Sequence, residues 1–375
     1  MNEELYQRLA HHLDNLPGGY PPTESGVELR ILRRLFTPEE ATMALCLTVL
    51  PEEARVVARR AHLSVEETAV RLQEMEAKGL IYSLHPSEGP PKYSALHFVV
   101  GIWEFQVNRL TPELVRDFEE YLPTLAAHDV WQKAPQIRTI PVGKSIETNQ
   151  EVMIYEHAEE LVRSQEHIVV APCICRQERQ TVGEGCKKPL ETCLSFGTAA
   201  DYYQRNGLGR VIDQDEALKI LKQANRAGLV LQPSNSQKAS FICCCCGDCC
   251  GVLRSAKLHP QPASILASAF FAKVEADLCN GCGACTRRCQ MDAVEMVGET
   301  AVLNLDRCIG CGLCVSTCPT QALSLERKPE AEQPHVPPNF TLANFQLGRI
   351  RGKFKTTDMV MMVVRSKVDR LLSRS

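Results

Sequence analysis

Residues 279–289 read CNGCGACTRRC, and residues 308–319 read CIGCGLCVSTCP. The second stretch repeats the first 29 positions on. Both carry the spacing Cys-x-x-Cys-x-x-Cys-x-x-x-Cys, first as Cys279, Cys282, Cys285 and Cys289, then as Cys308, Cys311, Cys314 and Cys318. Such short loops curl three thiolates around one small object, and a fourth arrives from elsewhere. Gly281, Gly283, Gly310 and Gly312 sit between the thiols, where a bulky residue would hold the backbone off. Glycine admits positive φ there and lets amide N–H groups approach the bound object. Zinc also uses Cys-x-x-Cys pairs, but one ion needs four ligands rather than two runs of four. A disulfide framework is the other reading of so many cysteines.

The repeated run resembles the ligand run of bacterial two-cluster ferredoxins over about 50 residues. That resemblance implies two [4Fe-4S] clusters, with the fourth Cys of each run ligating the other cluster. One cluster then takes Cys279, Cys282, Cys285 and Cys318; the other takes Cys308, Cys311, Cys314 and Cys289. Pro319 follows the second run as the pattern expects, whereas Gln290 replaces the proline after Cys289.

The chain has 375 residues, enough for two or three domains. With 42 basic and 45 acidic residues, charge implies no global attraction to nucleic acid. Nineteen cysteines, no hydrophobic leader and no long apolar run argue for a reducing cytoplasm over secretion or a membrane span. Cluster chemistry itself favours an anaerobic cell.

Four parts emerge: residues 1–110, 111–262, 263–328 (repeats about 270–299 and 300–328) and 329–375. In the first, Thr37-Pro38-Glu39-Glu40 is a capping box opening a helix to Leu50 that carries Cys46 on an apolar face. Pro51–Arg60 reads as a second helix. Ser64–Lys78 is a third, stopped by Gly79, and a hairpin of 80–84 with 92–96 follows. Three helices and a hairpin resemble a winged helix-turn-helix. The third helix holds Glu66, Glu67, Glu74 and Glu76 against Arg71 and Lys78, the wrong charge for phosphate. Nucleic acid is therefore an unfavoured partner.

In the second part, Thr111-Pro112-Glu113 opens a helix to Leu122, and Pro123, Pro135 and Pro141 mark a connector. Gly143-Lys144-Ser145 is not a phosphate loop, because Arg138 stands where its first glycine belongs. Helices are expected over 152–163 and before Asn206, and one from Asp213 to Ala227. Strands are expected over 167–171 and 229–231. Ten further cysteines lie here: Cys173, Cys175, Cys186, Cys193, Cys243, Cys244, Cys245, Cys246, Cys249 and Cys250. Along a strand adjacent thiols alternate sides, so Cys243–Cys246 cannot all face one metal. Gly247-Asp248 turns Cys246 and Cys249 to one side. One extra four-iron cluster, two extra clusters, or a zinc or redox-active dithiol site all fit this composition. For a single cluster the favoured ligands are Cys175, Cys186 and Cys193 with one thiol of the Cys243–Cys250 patch. In bulk the chain resembles the longer ferredoxin-type iron–sulfur proteins of anaerobic bacteria.

Ser264–Val274 reads as an apolar helix. Pro329, Pro334, Pro337 and Pro338 make a semi-rigid linker. From Phe340 onward eight basic residues face two acidic ones, and Met359–Leu372 reads as an amphipathic helix. It fits a peripheral contact with an anionic membrane, an acidic partner, or packing on its own protein.

The fold class expected is α+β and multidomain. The expected role is relaying single electrons as a carrier or electron-transfer subunit of an oxidoreductase, between redox partner proteins. No hydrolytic constellation is present. The alternative is an iron–sulfur sensor regulating transcription through the first part.

Overall fold

Thr37 closes the capping box that its sequence announces: its hydroxyl accepts from the Glu40 amide, and the Glu40 carboxylate accepts from the Thr37 amide. The helix that follows is Pro38–Ala44 and stops short of the expected Leu50. The reason is tertiary. The Thr48 carbonyl accepts from the Ala95 amide at 2.7 Å, so residue 48 is drawn to the hairpin instead. The helix expected from Pro51 begins only at Ala54, because Glu52–Glu53 pairs as a strand with Lys92–Ser94. Lys92–Ser94 also pairs with Tyr82–Leu84, giving a three-stranded antiparallel sheet. Ser64 caps the helix Val65–Ala77, which buries Leu72 and Met75. Cys46 is half-buried, and its thiol donates to the Thr42 carbonyl at 3.6 Å.

The computed structural model describes residues 2–126, 128–145 and 153–373. Val152 and Arg374, included in the expected helix and the basic tail, lie outside the described residues. Two compact units form: Met1–Leu125 with Arg205–Leu208 and Asn344–Ser375, and Ala126–Gln204 with Gly209–Ala343. The helix Pro112–Leu125 continues through Pro123, where a connector was expected; Leu114, Val115, Phe118 and Tyr121 supply the face that holds it.

The tail completes the first unit. Its helix, Thr356–Leu372, packs on Ala54–Ala61. Ser366 donates to Glu52 at 2.6 Å, and Arg60 reaches Glu52 and Asp369 at 2.6 and 2.7 Å. Burial pushes the Glu52 carboxyl up, but hydrogen bonds from Arg60 and Ser366 outweigh it and hold the group below the ordinary range. Val360, Met361, Val364 and Leu371 stay exposed on the same helix.

The second unit is built on a five-stranded antiparallel sheet in the order Arg210–Ile212, Ile168–Pro172, Glu191–Phe196, Phe241–Cys245, Val230–Pro233. The middle strand was not expected from the sequence. Gln214–Arg226, capped by Asp213 at 2.7 Å to the Glu216 amide, packs Ala217, Leu218 and Leu221 into the sheet's core. The same core takes in Met291, Ile309 and Leu313 from the repeated cysteine run. That run lies between strands Phe270–Val274 and Leu323–Arg327, which pair antiparallel, with the hairpin Val294–Val297 and Thr300–Leu303 between the repeats. The expected helix over Ser264–Val274 is thereby corrected. Only Pro262–Ile265 is helical, and Phe270–Val274 is a strand because Phe270 and Ala272 alternate inward against Leu325. The proline linker is held at its end: the Gln237 and Lys238 amides donate to the Pro337 and Pro338 carbonyls. Among the described residues no helix is long and apolar enough to cross a membrane.

Candidate metal centres

Each repeated loop wraps three thiols around a hollow, and the fourth comes from the other loop. One hollow is lined by Cys279, Cys282, Cys285 and Cys318. The other is lined by Cys308, Cys311, Cys314 and Cys289. These are the two quartets that the ferredoxin pattern implies. Backbone amides point at the sulfurs: Ala301 N–H to Cys279 at 3.5 Å, Ala293 N–H to Cys289 at 3.2 Å and Ala272 N–H to Cys308 at 3.4 Å. A hollow ringed by four thiols with amide donors on the sulfurs suits a cuboidal cluster.

Glycine is needed where the loop closes tightest. A Cβ on Gly310, at φ +63°, would lie 2.1 Å from the Phe270 carbonyl oxygen. The quartets differ in exposure. Cys282 is exposed in the first, whereas Cys308 and Cys314 are buried in the second. Burial pushes Cys311 up to about 12.

The ten cysteines on the five-stranded sheet sort into three sets. Cys244, on the opposite strand face from Cys243 and Cys245, is a core thiol pushed far up by burial. Six others form a hydrogen-bonded sulfur chain in the order Cys173, Cys175, Cys250, Cys245, Cys243, Cys193. The remaining three, Cys186, Cys246 and Cys249, draw their sulfurs within 4.8 Å of one another. The favoured single set of Cys175, Cys186 and Cys193 is therefore not brought together. Cys186 arrives on the loop between the helix Ile174–Thr181 and the strand Glu191–Phe196, and that loop delivers it to Cys246 and Cys249 instead.

Two residues beside the cysteines, Arg176 and Gln290, take part in holding the sulfur-rich sheet. Arg176 is fully buried, donating to the Cys244 carbonyl at 3.1 Å, to the Thr192 hydroxyl, and to Cys246 Sγ at 3.8 Å. Burial disfavours its charge, but the sulfurs of Cys173, Cys246 and Cys245 outweigh that and keep it protonated. In the sequence it follows Cys173-Ile174-Cys175 directly, an adjacency that says nothing of its burial. Gln290, in place of proline, accepts the Gly247 N–H at 2.8 Å through its side chain. Its backbone oxygen would lie 2.4 Å from a Cβ on Gly247, so glycine is required at that contact. Proline could not make the side-chain bond, which ties the cysteine run to the Cys246–Cys249 turn.

Residues 272–325 match the family model described as 4Fe-4S dicluster domain. No curated protein and no solved structure matches the chain significantly. This segment is an iron–sulfur domain of ferredoxin type, and it provides for at least one [4Fe-4S] cluster.

Proposed function

We propose that the chain is an electron-transfer protein with two [4Fe-4S] clusters in the ferredoxin-type domain. The observation that carries this is the crossing of ligands, in which each hollow takes three cysteines from one loop and one from the other. When bound, a [4Fe-4S] cluster takes up and gives out one electron at a time. The protein's part is to hold the thiolates, aim amides at them and exclude water from the second quartet. A redox partner protein docks on the side of the exposed Cys282, while Cys289 and Cys311 of the second quartet pack against the core of the thiol-rich sheet. The role is that of a carrier or subunit within an oxidoreductase system. Anaerobically purified protein is expected to hold about 8 iron and 8 sulfide for its two clusters. Dithionite is expected to elicit the paramagnetic signals of reduced clusters. Iron-free material with neither sulfide nor signal overturns the reading.

A further inference from the structure

The trio Cys186, Cys246 and Cys249 differs in kind from the ferredoxin quartets. Among the described residues it is the one group of three His, Cys, Asp or Glu whose ligand atoms all lie within 4.8 Å of each other. The thiols of the ferredoxin quartets do not close to that extent. Cys186 Sγ and Cys246 Sγ are 3.9 Å apart. A tetrahedral ion with bonds of about 2.3 Å to sulfur requires ligand sulfurs about 3.8 Å apart. The trio is therefore sized for one ion.

Its backbone is arranged for thiolates. Cys246-Gly247-Asp248-Cys249 has Cys-x-x-Cys spacing. The Cys249 amide donates to Cys246 Sγ, and the Cys186 amide donates to Cys249 Sγ. Cys246 and Cys249 are each 1 % exposed. Gln290 pins the turn at Gly247. Charge also fits. Three thiolates with a divalent ion leave one negative charge, and the guanidinium of Arg176 sits 3.8 Å from Cys246 Sγ to offset it.

We infer that Cys186, Cys246 and Cys249 form a separate mononuclear site for a thiophilic divalent cation of the zinc class, with the fourth coordination position left to a non-protein ligand. Three protein ligands and an open position are the arrangement of zinc sites that bind a further molecule. The site does not depend on the electron-transfer reading, because zinc counts test the one and iron counts the other.

The test is metal analysis of full-length protein purified anaerobically without chelators from zinc-supplemented cells. Wild type is expected to carry about one zinc per chain beside its iron. Cys186→Ser and Cys249→Ser are expected to lose at least about nine-tenths of that zinc and keep their iron. Cobalt grown into the wild-type protein is expected to give sulfur-to-cobalt charge transfer and the strong visible bands of a tetrahedral ion, a readout that needs no variant to fold. Zinc-free wild type with no cobalt spectrum overturns the proposal. So does a loss of about four iron in Cys249→Ser, which would place the trio on an iron–sulfur cluster.

Discussion

In the ferredoxin-type domain eight cysteines stand apart around two hollows, whereas on the adjoining sheet nine thiols close on one another. Both lie in one unit and share one core. The first arrangement is local: three of four lining cysteines come from a single loop of seven residues, such as Cys308–Cys314. The second is assembled from afar. Cys186 meets Cys246 across 60 positions, and Cys193 meets Cys243 by strand pairing. Loops laden with glycine leave room for a bulky inorganic core. Paired strands and a tight turn leave room for much less. Thiol spacing, more than thiol number, separates the two regions.

The sharpest way to break this comparison is to remove one thiol from each region. Cys308→Ser is expected to cost about four iron per chain, while Cys244→Ser, in the apolar core, is expected to cost none. Equal losses on iron analysis would abolish the distinction. Next in size is Arg176→Met, which strips the buried cation from the sulfur-rich sheet. Breaking such a pair costs roughly 3–5 kcal/mol, measurable by denaturant unfolding of anaerobic protein. An unchanged midpoint would mean that the sulfurs around it carry no charge.

Gly310→Ala and Gly298→Ala test whether the hollows depend on close backbone approach. Both glycines have positive φ, +63° and +62°, but only Gly310 faces a carbonyl oxygen, at 2.1 Å from the added Cβ. Gly310→Ala is expected to lose roughly 3 kcal/mol and the iron of the second quartet, Gly298→Ala about 1 kcal/mol and no iron. Comparable effects would remove the argument from approach.

A pH control lies in the first unit. Burial lowers His97 to about 4, so the folded state refuses a proton that the unfolded chain accepts below about 6.5. The stability this contributes is complete above about 6.5 and is lost as pH falls toward 4, by about 3 kcal/mol. Hydrogen exchange over residues 97–107 reads it apart from acid effects on the metal sites. Protection that does not fall across that interval would contradict it.

Much of the ferredoxin-type domain was legible because its information is local. The Cys-x-x-Cys-x-x-Cys-x-x-x-Cys run states ligand, spacing and glycine in one string. Caps at Thr37, Ser64 and Asp213 were equally plain, since a cap needs only its own helix. What was missed is what distance decides. Phe270–Val274 reads as helix until Leu323–Arg327 is there to pair with it. Glu191–Phe196 owes its place to neighbours on both sides. The role of Gln290 is invisible in its own loop and becomes plain only beside Gly247. Cys175, Cys186 and Cys193 are near in sequence, yet the fold parts them.

The helix Thr356–Leu372 has one further consequence. It supplies Ser366 and Asp369 to the buried Glu52–Arg60 pair of the opening unit. A ribosome must therefore finish the intervening metal-bearing segment before that opening unit can close its own charge network. Nascent chain would wait with Glu52 and Arg60 short of their last partners, and cluster delivery has the whole of that interval in which to occur.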